Sequence, residues 1–145
     1  MSFASIGPDK INQMRHVRFF GDVAGLLAHM DRLADLVRPK FEAVDEVLNA
    51  RLAGKGIAEW TKPSGGYFVS VDVFDGCAAE IVRRAGEAGV KLTPAGASFP
   101  YGDDSRDRNI RLAPTMPSVD EIRQAMEIFC TCVEWACGER LADGA

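Results

Sequence analysis

The chain has 145 residues, 47% of them hydrophobic and 26% charged, with a formal net charge of −4. That size and balance suit a single soluble domain with one core, and the acidic excess argues against a nucleic-acid or anionic-membrane surface. No apolar run nears the ~20 residues that span a bilayer, and the first eight residues have neither the basic start nor the apolar core of a signal peptide, so a cytoplasmic protein is expected.

Residues 1–20 read as an extended or irregular lead-in, with a turn signal at Gly7-Pro8-Asp9-Lys10. Polar residues (Asn12, Gln13, Arg15, His16) dilute its apolar periodicity, so it reads as a piece that packs on something else. Asp22 can cap a helix whose apolar positions are Leu26, Met30, Leu33, Val37, Phe41, Val44 and Leu48. From Asp22 to Ala53 this helix would be about 48 Å long at 1.5 Å per residue. Pro39 removes one backbone donor and crowds the carbonyl four residues back, which predicts a kink near Asp35. Gly54 then stops the helix.

Beyond Ile57 the period changes to two. A short strand, Ala58–Thr61, leads through Pro63-Ser64-Gly65-Gly66 to a second, Tyr67–Val73. Tyr67, Val69, Val71 and Val73 fall on one face, Ser70 and Asp72 on the other. A helix from Cys77 to about Glu87 follows, then a strand at Val90–Thr93, an irregular loop over Ala97–Asp107, and a strand at Arg108–Ala113. Ser118-Val-Asp-Glu121 fits a capping box at the head of an amphipathic helix through Ile122, Met126, Phe129, Val133 and Ala136. The last residues, from Leu141, are expected to fray. The fold class is therefore α+β: about four short strands in a mostly antiparallel or mixed sheet, with helices on one face.

The cysteines do not form a metal site on spacing. On a helix Cys130 and Cys137 share a face, whereas Cys132 points about 160° from Cys130, and neither His16 nor His29 lies near them. With Cys77 they read as buried, reduced thiols.

The stretch Arg108–Thr115 carries the most chemistry. Arg111 alternates with Ile110 and Leu112, so it leaves the core face of its strand. Such an arginine commonly just reaches solvent, yet a planar, permanently charged guanidinium held between a loop and a helix also suits a carboxylate through two parallel hydrogen bonds. The pair Gly65-Gly66 is open to two readings as well: a turn, or a place where another group approaches the backbone closely.

Three motifs in order, Pro63-Ser-Gly-Gly-Tyr-Phe68, Gly89-Val-Lys-Leu-Thr-Pro-Ala-Gly-Ala-Ser-Phe99 and Asn109-Ile-Arg-Leu112, resemble the C-terminal, or small, domain of class I/II aminotransferases, the fold-type I pyridoxal-phosphate enzymes. The lead-in Gly7–Phe19 is similar to a bacterial aspartate aminotransferase-like or MocR-like subgroup, and the resemblance covers about residues 5 to 140. It implies that Arg111 binds the α-carboxylate of an amino-acid or 2-oxo-acid substrate and that Gly65 and Gly66 run beside that substrate. It also implies that the loop Ala95–Tyr101 closes over the site. On this reading residues 1–20 are an interdomain segment and 21–145 the small domain.

The reactive lysine, the aspartate at the pyridine nitrogen and the phosphate loop of that family belong to its large domain. Lys10, Lys40, Lys55, Lys62 and Lys91 match none of the sequence contexts of the reactive lysine. The resemblance thus implies pyridoxal phosphate in the full-length enzyme and none bound to this chain, which would need the large domain as a partner. Another implied role is the ligand-sensing part of a MocR-type regulator. The uncovered apolar residues Ile11, Met14, Val17, Phe19 and Phe20 predict a homo-oligomer.

Overall fold

A computed structural model describes residues 9–144; Gly7 and Pro8 of the predicted turn and the final Ala145 lie outside them. The chain divides into two compact units, Met1–Leu36 and Val37–Ala145. The first contains α1 (Lys10–Phe20) and the beginning of α2 (Val23–Leu52).

Helix α1 corrects the irregular lead-in. Asp9 caps its start, accepting from the Asn12 backbone N–H at 3.1 Å and the Asn12 side-chain amide at 2.7 Å. Gly21, with φ 72°, closes its end by donating to the Val17 carbonyl at 2.9 Å. Two caps and the three-residue spacing of Ile11, Met14 and Val17 outweigh the polar residues between them. Phe19, Phe20, His16 and His29 form an aromatic cluster within this unit, with centroid separations of 5.0–5.9 Å. A side chain at Gly25 would put its Cβ 1.9 Å from the Phe20 carbonyl oxygen, so the corner between α1 and α2 requires glycine there.

Asp22 caps α2 as expected, its carboxylate accepting from the Gly25 N–H at 2.8 Å. Pro39 lies inside the helix. The residues of α2 that become buried all lie beyond it: Ala43, Val44, Val47, Leu48 and Leu52.

The second unit holds a three-stranded antiparallel sheet in the order β1 (Ala58–Trp60), β2 (Val69–Val73), β3 (Asn109–Leu112). Among the described residues Val90–Thr93 forms no strand, against the expected four. The Val90 N–H instead closes α3 (Ala78–Glu87) by donating to the Ala85 carbonyl at 2.8 Å, while Val90 and Leu92 pack on the core without a ladder. Tyr67 is exposed because β2 begins only at Val69. Val69, Val71, Val73, Ile110 and Leu112 supply the buried face of the sheet, against which α2, α3 and α4 (Val119–Asp143) pack.

Long-range polar contacts fix these helices. The Asp107 carbonyl accepts from the N–H groups of Cys77 and Ala78, and its carboxylate from that of Ala79 at 2.9 Å, so α3 is capped by a residue far along the chain. The Ser118–Glu121 capping box heads α4 as expected, and α4 runs to Asp143. Lys40 donates to the Thr115 carbonyl at 2.8 Å, tying α2 to the turn before α4. The indole N–H of Trp60 donates to Asp45 at 2.9 Å, and the Arg84 guanidinium lies 4.4 Å over the Trp135 ring. Cys77, Cys130, Cys132 and Cys137 are all buried and free; Cys132 is covered as well because α4 buries a broad arc of its surface. No three His, Cys, Asp or Glu side chains among the described residues could hold a metal ion, and no helix there is long and apolar enough to cross a membrane.

Candidate functional site

The face of the sheet turned away from the helices is polar. Its register sets Ser70 opposite Arg111 and Asp72 opposite Asn109. Phe68, just ahead of β2, shares the parity of Ser70 and Asp72, and the Arg111 guanidinium lies 4.4 Å over its ring. A cation over an aromatic face keeps a fixed direction without losing its charge.

Arg111 differs from its counterparts. The other half-buried arginines each face carboxylates: Arg51 meets Glu127 and Glu134, Arg84 meets Glu80 and Glu139, and Arg108 lies 3.8–3.9 Å from Asp75 and Asp72. Arg111 has no carboxylate within ion-pair distance among the described residues, and its Nε, like that of Arg108, is sealed from solvent without a hydrogen-bond partner. A half-buried guanidinium lacking an anion is poised to accept one.

Neighbouring polar groups hold the strand end. Asn109 donates from its side-chain amide to Ser70 Oγ at 2.8 Å and to Asp72 Oδ1 at 2.7 Å. Asp104 accepts from the backbone N–H groups of Arg108 and Asn109, both at 2.8 Å, and of Arg106 at 3.2 Å. Burial alone would raise the Asp104 carboxyl, but those three N–H donors, helped by the charge of Arg108, outweigh it and hold the group below its usual range.

Gly65 and Gly66 are exposed, and a Cβ at either would meet open space. Gly66 needs glycine for its backbone, with φ 94°. Phe68, two residues beyond Gly66, links this turn to Arg111. The loop before β3 is folded on itself. Gly96 is buried with φ 77°, and a Cβ there would sit 2.3 Å from the Gly102 carbonyl oxygen. Tyr101 at its tip is fully exposed and left-handed, φ 62°, a conformation costing a non-glycine residue about 1 kcal/mol or more.

The sequence singled out Arg111 and the glycines but not Phe68, Ser70, Asn109 or Asp104. The alternation of Phe68, Ser70 and Asp72 was a usable signal. The reach of Asp104 to residues four and five ahead was not.

Three of the five lysines are engaged by other groups of the chain. Lys55 pairs with Glu134 at 2.6 Å, Lys62 with Asp45 at 3.0 Å, and Lys40 is held by the Thr115 carbonyl.

Residues 1–144 match the family described as Aspartate amino-transferase. The chain belongs to that family. A Mycolicibacterium smegmatis protein bearing an aminotransferase name is 50% identical over 137 residues, which are 94% of this chain and 32% of that protein. The crystal structure of an aspartate transaminase from Corynebacterium glutamicum is 46% identical with a TM-score of 0.88, covering 96% of this chain and 33% of that one. A kynurenine aminotransferase of Pyrococcus horikoshii, solved in complex with PMP, KYN and KYA, is 26% identical with a TM-score of 0.65 over 75% of this chain and 26% of its own. This aminotransferase-family chain thus spans about a third of the length of the relatives it matches.

Proposed function

We propose that the chain is the C-terminal small domain of a pyridoxal-phosphate-dependent aminotransferase and that Arg111 grips the carboxylate of the amino-acid or 2-oxo-acid substrate. The observation that carries this reading is the half-buried Arg111 guanidinium, braced on Phe68 and without a carboxylate partner among the described residues. The cofactor, which supplies the amino-group transfer chemistry, belongs to the large domain in the rest of the full-length protein. The role of this chain is to orient substrate: a bidentate Arg–carboxylate pair fixes both position and rotation, so the reacting end is presented in one geometry. Gly65-Gly66 leaves the approach beside Phe68 free of side chains, and the loop Ala95–Tyr101 closes over bound substrate and excludes water.

The test is Arg111→Ala in the full-length enzyme. Losing a charge-assisted pair removes about 1.5–3 kcal/mol, so KM for amino acids should rise roughly ten- to hundredfold. Unchanged KM would remove the assignment. We also propose that the isolated chain self-associates, because Ile11, Met14, Val17 and Phe19 are all exposed and water-facing apolar surface of that kind favours a partner.

A further inference from the structure

We infer that Ser70 is a second substrate-binding residue, donating its hydroxyl proton to the carboxylate held by Arg111, and that Asn109 is the positioning residue that aims it. The inference rests on the carboxylate-binding reading of Arg111. It begins with the orientation of one amide. The side-chain nitrogen of Asn109 lies 2.7 Å from Asp72 Oδ1 and 2.8 Å from Ser70 Oγ. An ionised carboxylate only accepts, so the Asn109 group facing Asp72 must be the NH2, and the assignment of its nitrogen and oxygen is fixed by chemistry. The same NH2 therefore donates its other proton to Ser70.

This determines the role left to the hydroxyl. A serine Oγ has one proton to give and two lone pairs to receive. One lone pair is taken by Asn109, and among the described residues Ser70 Oγ donates to nothing. Ser70 is the direct cross-strand partner of Arg111, on the same polar face. Asp72 does not compete for that arginine: it is engaged by Asn109 and lies 3.9 Å from Arg108. Among the described residues, a guanidinium without an anion and a hydroxyl without an acceptor thus belong to directly paired strand positions, and a carboxylate, with several lone-pair directions, can serve both.

The state of Asn109 shows that the arrangement is held at a cost. The residue is only 8% exposed, yet its Oδ1 is sealed from solvent with no partner. Buried amide oxygens normally find one. A valine or threonine would fill the same strand position without an orphan atom, but neither would present two donors to Ser70 and Asp72.

The experiment is steady-state kinetics of the full-length enzyme with Ser70→Ala, Ser70→Thr, Asn109→Ala, Arg111→Ala and the Ser70→Ala/Asn109→Ala double variant. Loss of one hydrogen bond to a charged group should raise KM of Ser70→Ala about tenfold with kcat nearly unchanged. Ser70→Thr, which keeps the hydroxyl, should return KM to within about twofold of the parent. Asn109→Ala should raise KM with kcat nearly unchanged in the parent but add little in the Ser70→Ala background, a KM-only coupling that a merely structural role would not produce. A large KM increase for Arg111→Ala with none for Ser70→Ala overturns this inference and leaves the arginine reading standing. Unchanged KM in both overturns the two together. Additive effects of Ser70→Ala and Asn109→Ala overturn the positioning role.

Discussion

Helix α2 crosses from one kind of environment to another. In the unit Val37–Ala145 its apolar residues Val44, Leu48 and Leu52 are wholly buried, whereas in the unit Met1–Leu36 the equally apolar Leu26, Met30, Leu33 and Leu36 face water. No residue of helix α1 is fully buried. The stripe repeats every three or four residues in both units, so periodicity states that a face is meant for covering without saying where the cover comes from. One unit carries its own core. The other leaves its apolar residues uncovered.

The contrast is open to direct attack. The largest effect should come from Phe129→Ala, which empties the centre of the cored unit; a loss of about 3–5 kcal/mol in denaturant unfolding is expected. Leu27→Ala, on exposed surface of the other unit, should change the isolated chain by no more than about 0.5 kcal/mol. A comparable loss at both sites would mean that the first unit is covered in solution, and light scattering would then show an oligomer that Leu27→Ala weakens. Asp107→Ala removes the carboxylate that accepts from Ala79 while leaving the backbone carbonyl that serves Cys77 and Ala78, and should lower stability by about 1 kcal/mol, with hydrogen exchange rising first at Ala79.

Thiol chemistry sharpens the same comparison. Burial pushes the Cys77 thiol up to about 12, with the nearby Cys137 adding to it, and burial likewise takes Cys130 to about 12. All four cysteines belong to the cored unit. A thiol-disulfide reagent at pH 8 should therefore label the native chain only at the rate of unfolding, and labelling faster than unfolding would show that the core opens locally.

The smallest predicted effect is acid sensitivity at the base of the Arg111 strand. The Asp104 carboxyl is held below its ordinary 3.8 in the fold. Its stabilising contribution is thus complete above that value and lost as pH falls through the lower folded one. Amide exchange at Arg108 and Asn109, corrected for intrinsic rates, should hold steady down to about pH 4 and accelerate below it. Acceleration beginning at pH 6 would contradict the bonding described for Asp104.

What could be read from the sequence was local. The Ser118–Glu121 box, the Asp22 cap and the outward parity of Arg111 depend on neighbours one to four positions apart, and the structure reproduces each. What could not be read was settled at long range. Val90–Thr93 has strand-forming residues, but its first N–H is spent on closing α3. The polar lead-in became a helix because Asp9 and Gly21 cap it and aromatic rings gather at its end. The three N–H groups collected by Asp104, and the capping of α3 by Asp107, join residues that no spacing rule connects.

The placement of the indole rings has an optical consequence. The only tryptophans are Trp60 and Trp135, and the only tyrosines are Tyr67 and Tyr101, so every such chromophore lies beyond Val37. Trp135, exposed and stacked beneath a guanidinium, should emit at longer wavelength than the half-buried Trp60 bonded to Asp45. Intrinsic emission is thus a private signal of the cored unit, blind to α1, while far-ultraviolet dichroism sums the helices of both. A melting curve followed at once by the two signals separates the halves of this chain without a label.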